Sequence, residues 1–427
     1  MDWTGFIIIS LDFIIIKRYF LLESERILAW VKMNLIYMDH HATTPLDKEV
    51  LEAMMPYLTT EFGNPASNTH AYGHRARHAV EEARQQVAAL INAKSADEII
   101  FTGGATESDN LALKGIAYLP GNAGGHVITI ATEHKAILDT AKRLERQGFQ
   151  VSFAPIDEFG VVDLQSLEVM IRPNTVLISI QSANSEIGTV QPIAEIAEIA
   201  HKHDVVFHTD AVQALGRIDV DVVRDHVDLL SISAHKMYGP KGVGALYVRK
   251  GIHLIPLIDG GGHEKGMRSG TLNVPGIVGL GKAAEMAKRD LEKESTRLLQ
   301  LRNRLSEGIE KRISHVKLNG HPVKRLPNNL NYSFAYVEGE ALILSCRDVA
   351  LSSSSACTSG AAQSSYVLKA IGVPDSLAQC SIRFGLGKSN TEEHVDFLLD
   401  LLEKNVGRLR EMSPLYGGVK EGADDGC

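Results

Sequence analysis

Between residues 98 and 250 the chain alternates apolar runs with amphipathic stretches. "EIIFTGG" (98–104) reads as a strand running into a glycine turn, followed by the helical "TESDNLALKGIA". "HVITIATEH" (126–134) and "TVLISIQSAN" (175–184) are two further strands. Pro192 then opens a helix, "PIAEIAEIAHKH", with apolar residues at helical spacing. "VVFHTD" (205–210), "DLLSISAHK" (228–236) and "VGALYVRKG" (243–251) complete the series. This alternation predicts an α/β fold, a largely parallel sheet between layers of helices. Ligands of such sheets sit beyond the carboxyl ends of the strands. Thr106, His134, Asp210, His235 and Lys236 fall at or just past those ends.

A charged helical stretch, roughly 276–313, follows and leads to a smaller α+β domain containing "NNLNYSFAYV" (328–337) and the serine-rich "SSSSACTSG" (352–360). A chain of 427 residues exceeds what one core usually organises. The expected division is a large domain over 47–291 and a small one built from 33–46 and 292–427. The first 32 residues are expected to form an extension outside the fold. Their apolar stretch "GFIIISLDFIIIKRYFLL" (5–22) is interrupted by Asp12 and its clean run is too short for the roughly 20 residues of a membrane span. It also lacks the basic lead and small-residue cleavage site of a signal peptide. A peripheral membrane anchor is the alternative for this stretch, and no membrane span is expected.

Hydrophobic residues make up 44% of the chain and charged residues 22%, with a net charge of −8. Nucleic-acid binding would need a clustered basic surface, so no nucleic-acid partner is expected. The composition suits a cytoplasmic protein acting on small molecules. The four cysteines, Cys346, Cys357, Cys380 and Cys427, are too few for a disulfide framework and form no C-x-x-C pair. His40–His41 and His201/His203 lack a third ligand at metal-binding spacing, so no metal is expected. Cys346 and Cys380 read as small packed residues, and Cys427 as a tail thiol.

The chemistry lies at the strand ends. Lys236, directly after an apolar strand, would be partly desolvated and able to form a Schiff base. Asp210 closes a neighbouring strand, on the same sheet edge. A pyridoxal phosphate enzyme needs both groups, a lysine for the aldehyde and an acid for the ring nitrogen. It also needs phosphate donors at a turn and helix start, which "GGATESDN" (103–110) supplies. Ser233 and His235 can add donors, and His134 can stack on the ring.

Here the sequence resembles the cysteine desulfurases of the NifS/IscS type, class V aminotransferase relatives with the fold-type-I pyridoxal phosphate architecture. The resemblance runs from about Ile36 to Leu415. It rests on "YMDHHATTPLD", "FGNPASNTH", "IIFTGGATESDNLALKG", "TEHKAILDT", "FHTDAVQALG", "SISAHKMYGPKGVGALYV", "GGGHEKGMRSGTLNV", "SSSSACTSG" and "CSIRFGLGKSNTEEHVD". It implies that Lys236 carries the cofactor covalently, that Asp210 pairs with the ring nitrogen and that Gln213 bonds the ring oxygen. His134 would stack on the ring and assist proton transfer. Ala105, Thr106, Ser233 and His235 would hold the phosphate, joined by Thr271 from the other subunit of a homodimer. Arg383 would clamp the substrate carboxylate. The family usually has Asn-Asn-Glu where this chain has Asn184-Ser185-Glu186. Ser185 thus stands at a cofactor and substrate contact, where a water bridge or Asn184 would have to compensate.

The implied reaction takes L-cysteine to L-alanine, with sulfur passed as a persulfide on Cys357, whose loop of small residues would have to swing toward an acceptor. The acceptor implied is an iron–sulfur scaffold protein of the IscU/NifU kind. Transient [2Fe–2S] transfer through Cys357 and delivery to tRNA thiolation are further implied roles. A selenocysteine lyase or an aminotransferase shares Lys236 and Asp210, although a transaminase has no need of Cys357. A non-catalytic sulfur carrier would need the cysteine but not the cofactor residues.

Overall fold

A computed structural model of the chain describes residues 35–353 and 364–414 together with Tyr416. The chain enters through strand β1 (Ile36–Tyr37) and helices α1 (Lys48–Thr59) and α2 (Ala71–Leu90). Strands and helices then alternate, beginning with β2 (Ile99–Thr102), α3 (Ala105–Ala117), β3 (His126–Ile130) and α4 (Lys135–Arg146). β4 (Gln150–Ala154), α5 (Leu164–Met170), β5 (Thr175–Ser179) and α6 (Ile193–Lys202) continue the series. It ends with β6 (Val206–Asp210), β7 (Leu229–Ser233) and β8 (Gly244–Val248). These strands make one seven-stranded sheet in the order β2-β8-β7-β6-β5-β3-β4. All pairings are parallel except those of β8, which runs antiparallel to both β2 and β7.

Successive strand residues face opposite sides of a sheet, and here both sides are apolar. Val127, Leu177 and Leu229 pack with Leu113 of α3 and Ile137 of α4. Ile128, Ile178 and Leu230 pack on the other side with Val80 of α2 and Ile196 of α6. Burial on both faces explains the unbroken apolar runs of the sequence. β4 was not anticipated. It is the sheet's edge, with Gln150 and Phe153 exposed, so its composition carries no such run.

Helix α7 (Val274–Arg312) spans 39 residues and serves two cores. Its first part (Ile277, Leu280, Ala284) joins the main-sheet cluster, whereas Leu298, Leu301, Leu305 and Ile309 join a second one. That second core surrounds β9 (Val316–Leu318), β10 (Asn329–Phe334) and α8 (Gly339–Ser345), with β11 (Val349–Ala350) and β12 (Ser352–Ser353) beyond. After the undescribed residues 354–363 come α9 (Tyr366–Ala370), α10 (Asp375–Ala378), β13 (Ser381–Gly385) and α11 (Glu392–Glu411). β12, β13, β10 and β9 form a four-stranded antiparallel sheet. Among the described residues no helix is long and apolar enough to cross a membrane.

In the main sheet, β3 lies between β4 and β5, so the direction of chain progress reverses there. The crevice at such a reversal is the preferred ligand position of open α/β sheets. The carboxyl ends of β3, β5, β6 and β7 all open onto it.

Candidate active site

A cavity of about 900 Å³ occupies this edge, and it is lined by Thr106, His134, Ser185, Asp210, Gln213, Ser233, His235, Lys236 and Arg383 among others. After β7 a single 3-10 turn (Ala234–Lys236) swings Lys236 into the cavity. Its Nζ donates to the carbonyl oxygens of His41 (2.5 Å) and Ala42 (2.7 Å). The same entry segment fixes the turn from the other side. Thr44 donates through Oγ1 (2.9 Å) and its backbone N–H (3.0 Å) to His235 O, while Thr43 Oγ1 bonds His235 Nδ1 at 3.0 Å. Burial, then the charges of Lys236 and Lys241, push His235 down to about 4, so its ring is neutral at pH 7.

Asp210 ends β6, and its Oδ1 accepts the Val212 N–H at 2.9 Å. Burial raises its pKa, and the neighbouring His134, the Val212 N–H and Lys236 oppose that rise. Gln213 is held by His41: Nδ1–H of the histidine donates to Oε1 (2.8 Å) and the Gln213 amide donates back to His41 O (3.2 Å). Burial, followed by the nearby Arg383 charge, lowers His41 to about 3. His134 caps α4, its Nδ1 accepting the Ala136 N–H at 3.2 Å, which leaves Nε2 as the nitrogen that can bear a proton.

At the opposite end, α3 begins without a side-chain cap on Gly104, whose φ of 148° is glycine territory. The first N–H groups of the helix, at Ala105 and Thr106, have no intrahelical carbonyl to bind and so suit an anion. Glu107, next in line, is occupied elsewhere: it accepts the Gly103 N–H and Arg268 Nε, both at 2.8 Å. Thr271 does not line this cavity. It is exposed ahead of α7.

Another wall of the cavity is built on Arg383 of β13. Its side chain is 3% exposed, and Nη2 pairs with Asp39 Oδ1 at 2.7 Å while Nη1 reaches the Ser185 carbonyl at 3.4 Å. Its Nε is buried and has no partner among the described residues. Ser185 lines the cavity beside it. Asn184 does not, contrary to the expectation that it could compensate for Ser185. Its Oδ1 accepts the N–H groups of Glu186 (2.8 Å) and Ile187 (2.9 Å), and its Nδ2 donates to Thr132 O (2.8 Å). Its amide is thus anchored on the wall behind the cavity. Cys357 and Cys427 lie outside the described residues. Cys346 is buried in the second core, and Cys380 is half-buried with Sγ donating to Ser376 O.

Sequence reasoning missed His41, Ala42 and Thr43 as site residues. The sequence marks them only as part of the "DHHATTPLD" segment, whose paired histidines lack a third metal ligand. In the structure His40 instead packs edge-on against Tyr37, 4.8 Å between ring centroids, while His41 turns to Gln213.

The donor set fits pyridoxal phosphate. An amine and a buried acid share one cleft, uncapped helix N–H groups supply an anion seat, and His134 and Gln213 line the same cavity. When a site of this kind sits at the switch point of a mainly parallel sheet, it defines a fold-type-I pyridoxal phosphate enzyme. The aminotransferase class-V family model matches residues 36–398. The cysteine desulfurase IscS of Anaeromyxobacter sp. (strain K) is 57% identical over 391 residues, covering 91% of this chain and 96% of that protein. A solved NifS-like protein superposes with a TM-score of 0.82 at 40% identity, covering 88% of this chain and all (100%) of that one. The structure of SspA in complex with cysteine has a TM-score of 0.74 at 39% identity, over 82% of this chain and 98% of its own. The chain belongs to the class-V aminotransferase family and, within it, to the cysteine desulfurases.

Proposed function

We propose that this chain desulfurates L-cysteine as a cytoplasmic homodimer, passing the sulfur through Cys357 to a scaffold protein of the IscU/NifU kind. The observation that carries the reading is the meeting of Lys236, Asp210 and Arg383 around one cavity. Pyridoxal phosphate, when bound, supplies an aldehyde for an amine and an electron-withdrawing ring that weakens the bonds at the substrate Cα. Lys236 Nζ holds the aldehyde, and either it or His134 Nε2 carries the Cα proton. Asp210 keeps a proton on the ring nitrogen. Gln213, fixed by His41, bonds the ring oxygen. Ala105, Thr106, Ser233 and His235 seat the phosphate, joined by Thr271 of a second subunit. Arg383 binds the substrate carboxylate through the edge that its pair with Asp39 leaves open.

The Cys357 thiolate then attacks the substrate sulfur. A sulfur–sulfur bond forms, the carbon–sulfur bond breaks, and its electron pair stays with carbon, which takes up protons to become alanine. The flanks of the cysteine segment support this assignment. Ser352 stands opposite Arg383 in the small sheet, and Ser365 bonds Glu186, the neighbour of Ser185. The persulfide is then available to iron–sulfur assembly, including transient [2Fe–2S] transfer through Cys357, and to tRNA thiolation.

A division at residues 291/292 is supported by α7 passing from one core to the other. The homodimer is supported by an exposed apolar face: Leu51, Met55 and Leu58 on α1, with Phe62 stacked on Tyr72 at 5.3 Å. The position of Thr271, outside its own cavity, also favours a second subunit.

The test is incubation of the purified protein with L-cysteine and dithiothreitol, measuring alanine and sulfide. Equal amounts are expected. Cys357→Ser should keep the visible cofactor absorbance and lose sulfide release, while Lys236→Ala should lose the absorbance. Normal sulfide release by the Cys357 variant would refute the persulfide route.

A further inference from the structure

Behind Asp210 the core contains two more acids that the proposed reaction does not use. Asp109, in the middle of α3, and Glu133, just before His134, are both 0% exposed. Neither oxygen of Asp109 has a well-formed hydrogen bond among the described residues, and Glu133 Oε2 has none either. Glu133 Oε1 accepts the Gln181 N–H at 2.6 Å. No lysine or arginine pairs with either acid among the described residues. Among the described residues, the basic group paired with Asp109 is His208 of β6, with Nε2 at 3.8 Å. That ring is itself held between two hydroxyls, Ser179 Oγ at Nδ1 (2.9 Å) and Ser231 Oγ at Nε2 (3.0 Å), and burial lowers it to about 3. It is neutral and supplies no countercharge.

An isolated carboxylate in such a place is too costly to remain ionised. Asp210 differs, because it opens onto the cavity and faces His134 and Lys236. Resting on the cofactor assignment above, we propose that Asp109 and Glu133 are positioning residues held as neutral acids. Asp210 is then the single carboxylate charge offered to the ring nitrogen. Two further anions behind it would compete for the ring proton and for His134 and Lys236. As neutral acids they fill the wall and keep water out without doing so. Burial pushes both well above the carboxylate range, and the negative charge of Asp210 pushes them further. The Ser231 hydroxyl opposes this at Asp109, as do the Gln181 and His134 N–H groups at Glu133. The titratable groups facing the two acids are therefore Asp210 and His208 from β6 and His134 after β3, and Glu133 itself adds to the rise at Asp109.

The test is difference infrared spectroscopy of the holoenzyme at pH 8, with a pH titration of the visible cofactor band. The parent should show protonated-carboxyl absorption, diminished separately in Asp109→Asn and in Glu133→Gln. Each amide variant should keep the band's titration midpoint within about 0.3 pH unit, a twofold change in proton affinity. Asp109→Ala, which opens the wall to water, should move the midpoint by more than that, and the asparagine should restore it. Absence of protonated-carboxyl absorption in the parent would overturn the proposal, even if no variant folds. So would an Asp109→Asn midpoint lowered by about one unit or more, the mark of a lost anion. Failure of the parent to bind the cofactor at all would instead refute the site assignment.

Discussion

Arg383 Nη2 and Asp39 Oδ1 stand 2.7 Å apart, joining β13 to the entry segment that leads to Lys236. The pair fixes one arm of the guanidinium and leaves the buried Nε edge without a partner among the described residues. A carboxylate can be gripped by a fork in two places, which an ammonium cannot reproduce. Arg383→Lys should therefore raise KM for L-cysteine at least tenfold, corresponding to the loss of about 1.5 kcal/mol for one charged hydrogen bond. The cofactor absorbance should be unchanged. Sulfide release measured over a cysteine series decides it, and an unaltered KM would remove Arg383 from the substrate site.

Glu186 is buried 179 positions from Ser365 in sequence, yet Ser365 Oγ donates to its Oε2 at 2.5 Å and caps α9 through the Leu368 N–H. Burial raises Glu186 to about 7, against the Ser365 bond and the Arg383 charge. Between about pH 4.5 and 7 the native chain thus holds a proton that the unfolded chain releases, so stability falls as pH rises through that window. At about 1.4 kcal/mol per pH unit the loss approaches roughly 3 kcal/mol. Urea unfolding of the parent and of Glu186→Gln should diverge with pH accordingly. Parallel stability profiles for the two proteins would show that Glu186 titrates normally.

The sheet was legible because its strands are buried on both faces and are therefore rich in apolar residues without polar alternation, as in "TVLIS" and "LLSIS". β4 was not, since an edge strand with exposed Gln150 and Phe153 needs no such composition. The placement of Asp210 and Lys236 on one cavity wall was legible only from their conjunction, each at or just past the end of a neighbouring apolar strand on one sheet edge. The part played by His41 and Ala42 is different in kind. They hold Lys236 through main-chain carbonyls, which any residue possesses, so side-chain identity carried no signal. The placement of Asn184 was illegible for a related reason. Its type suits a ligand contact and a turn equally well, and only three-dimensional neighbours distinguish the two.

Gly281 lies where α7 crosses α2, and an added Cβ would fall 2.6 Å from Ala83 Cα and 2.4 Å from Gln86 Oε1. Alanine improves intrinsic helix propensity by about 1 kcal/mol. Backbone cannot yield as a flexible side-chain end can, and overpacking typically costs about 1–3 kcal/mol. The steric cost should prevail, so Gly281→Ala is expected to lower the urea midpoint despite its better propensity. A raised midpoint would mean that the two helices separate freely.

Asn184 offers the contrasting case to Arg383. Its side chain is 3% exposed and makes three hydrogen bonds, to Glu186 N–H, Ile187 N–H and Thr132 O. Alanine would strand the Glu186 and Ile187 N–H groups in a region closed to water, at about 1 kcal/mol or more each, while Thr132 O keeps the Gln181 amide. Asn184→Ala should thus cost about 2 kcal/mol, seen in the urea midpoint. Asn184→Asp would keep both acceptor contacts but lose the donation to Thr132 and bury a charge, so it should not rescue stability. Because the amide does not reach the cavity, the folded fraction should bind L-cysteine with KM within about twofold of the parent, well under one hydrogen bond's worth. A large rise in KM without loss of stability would mean that Asn184 turns into the cavity to meet the substrate, which the wall contacts argue against.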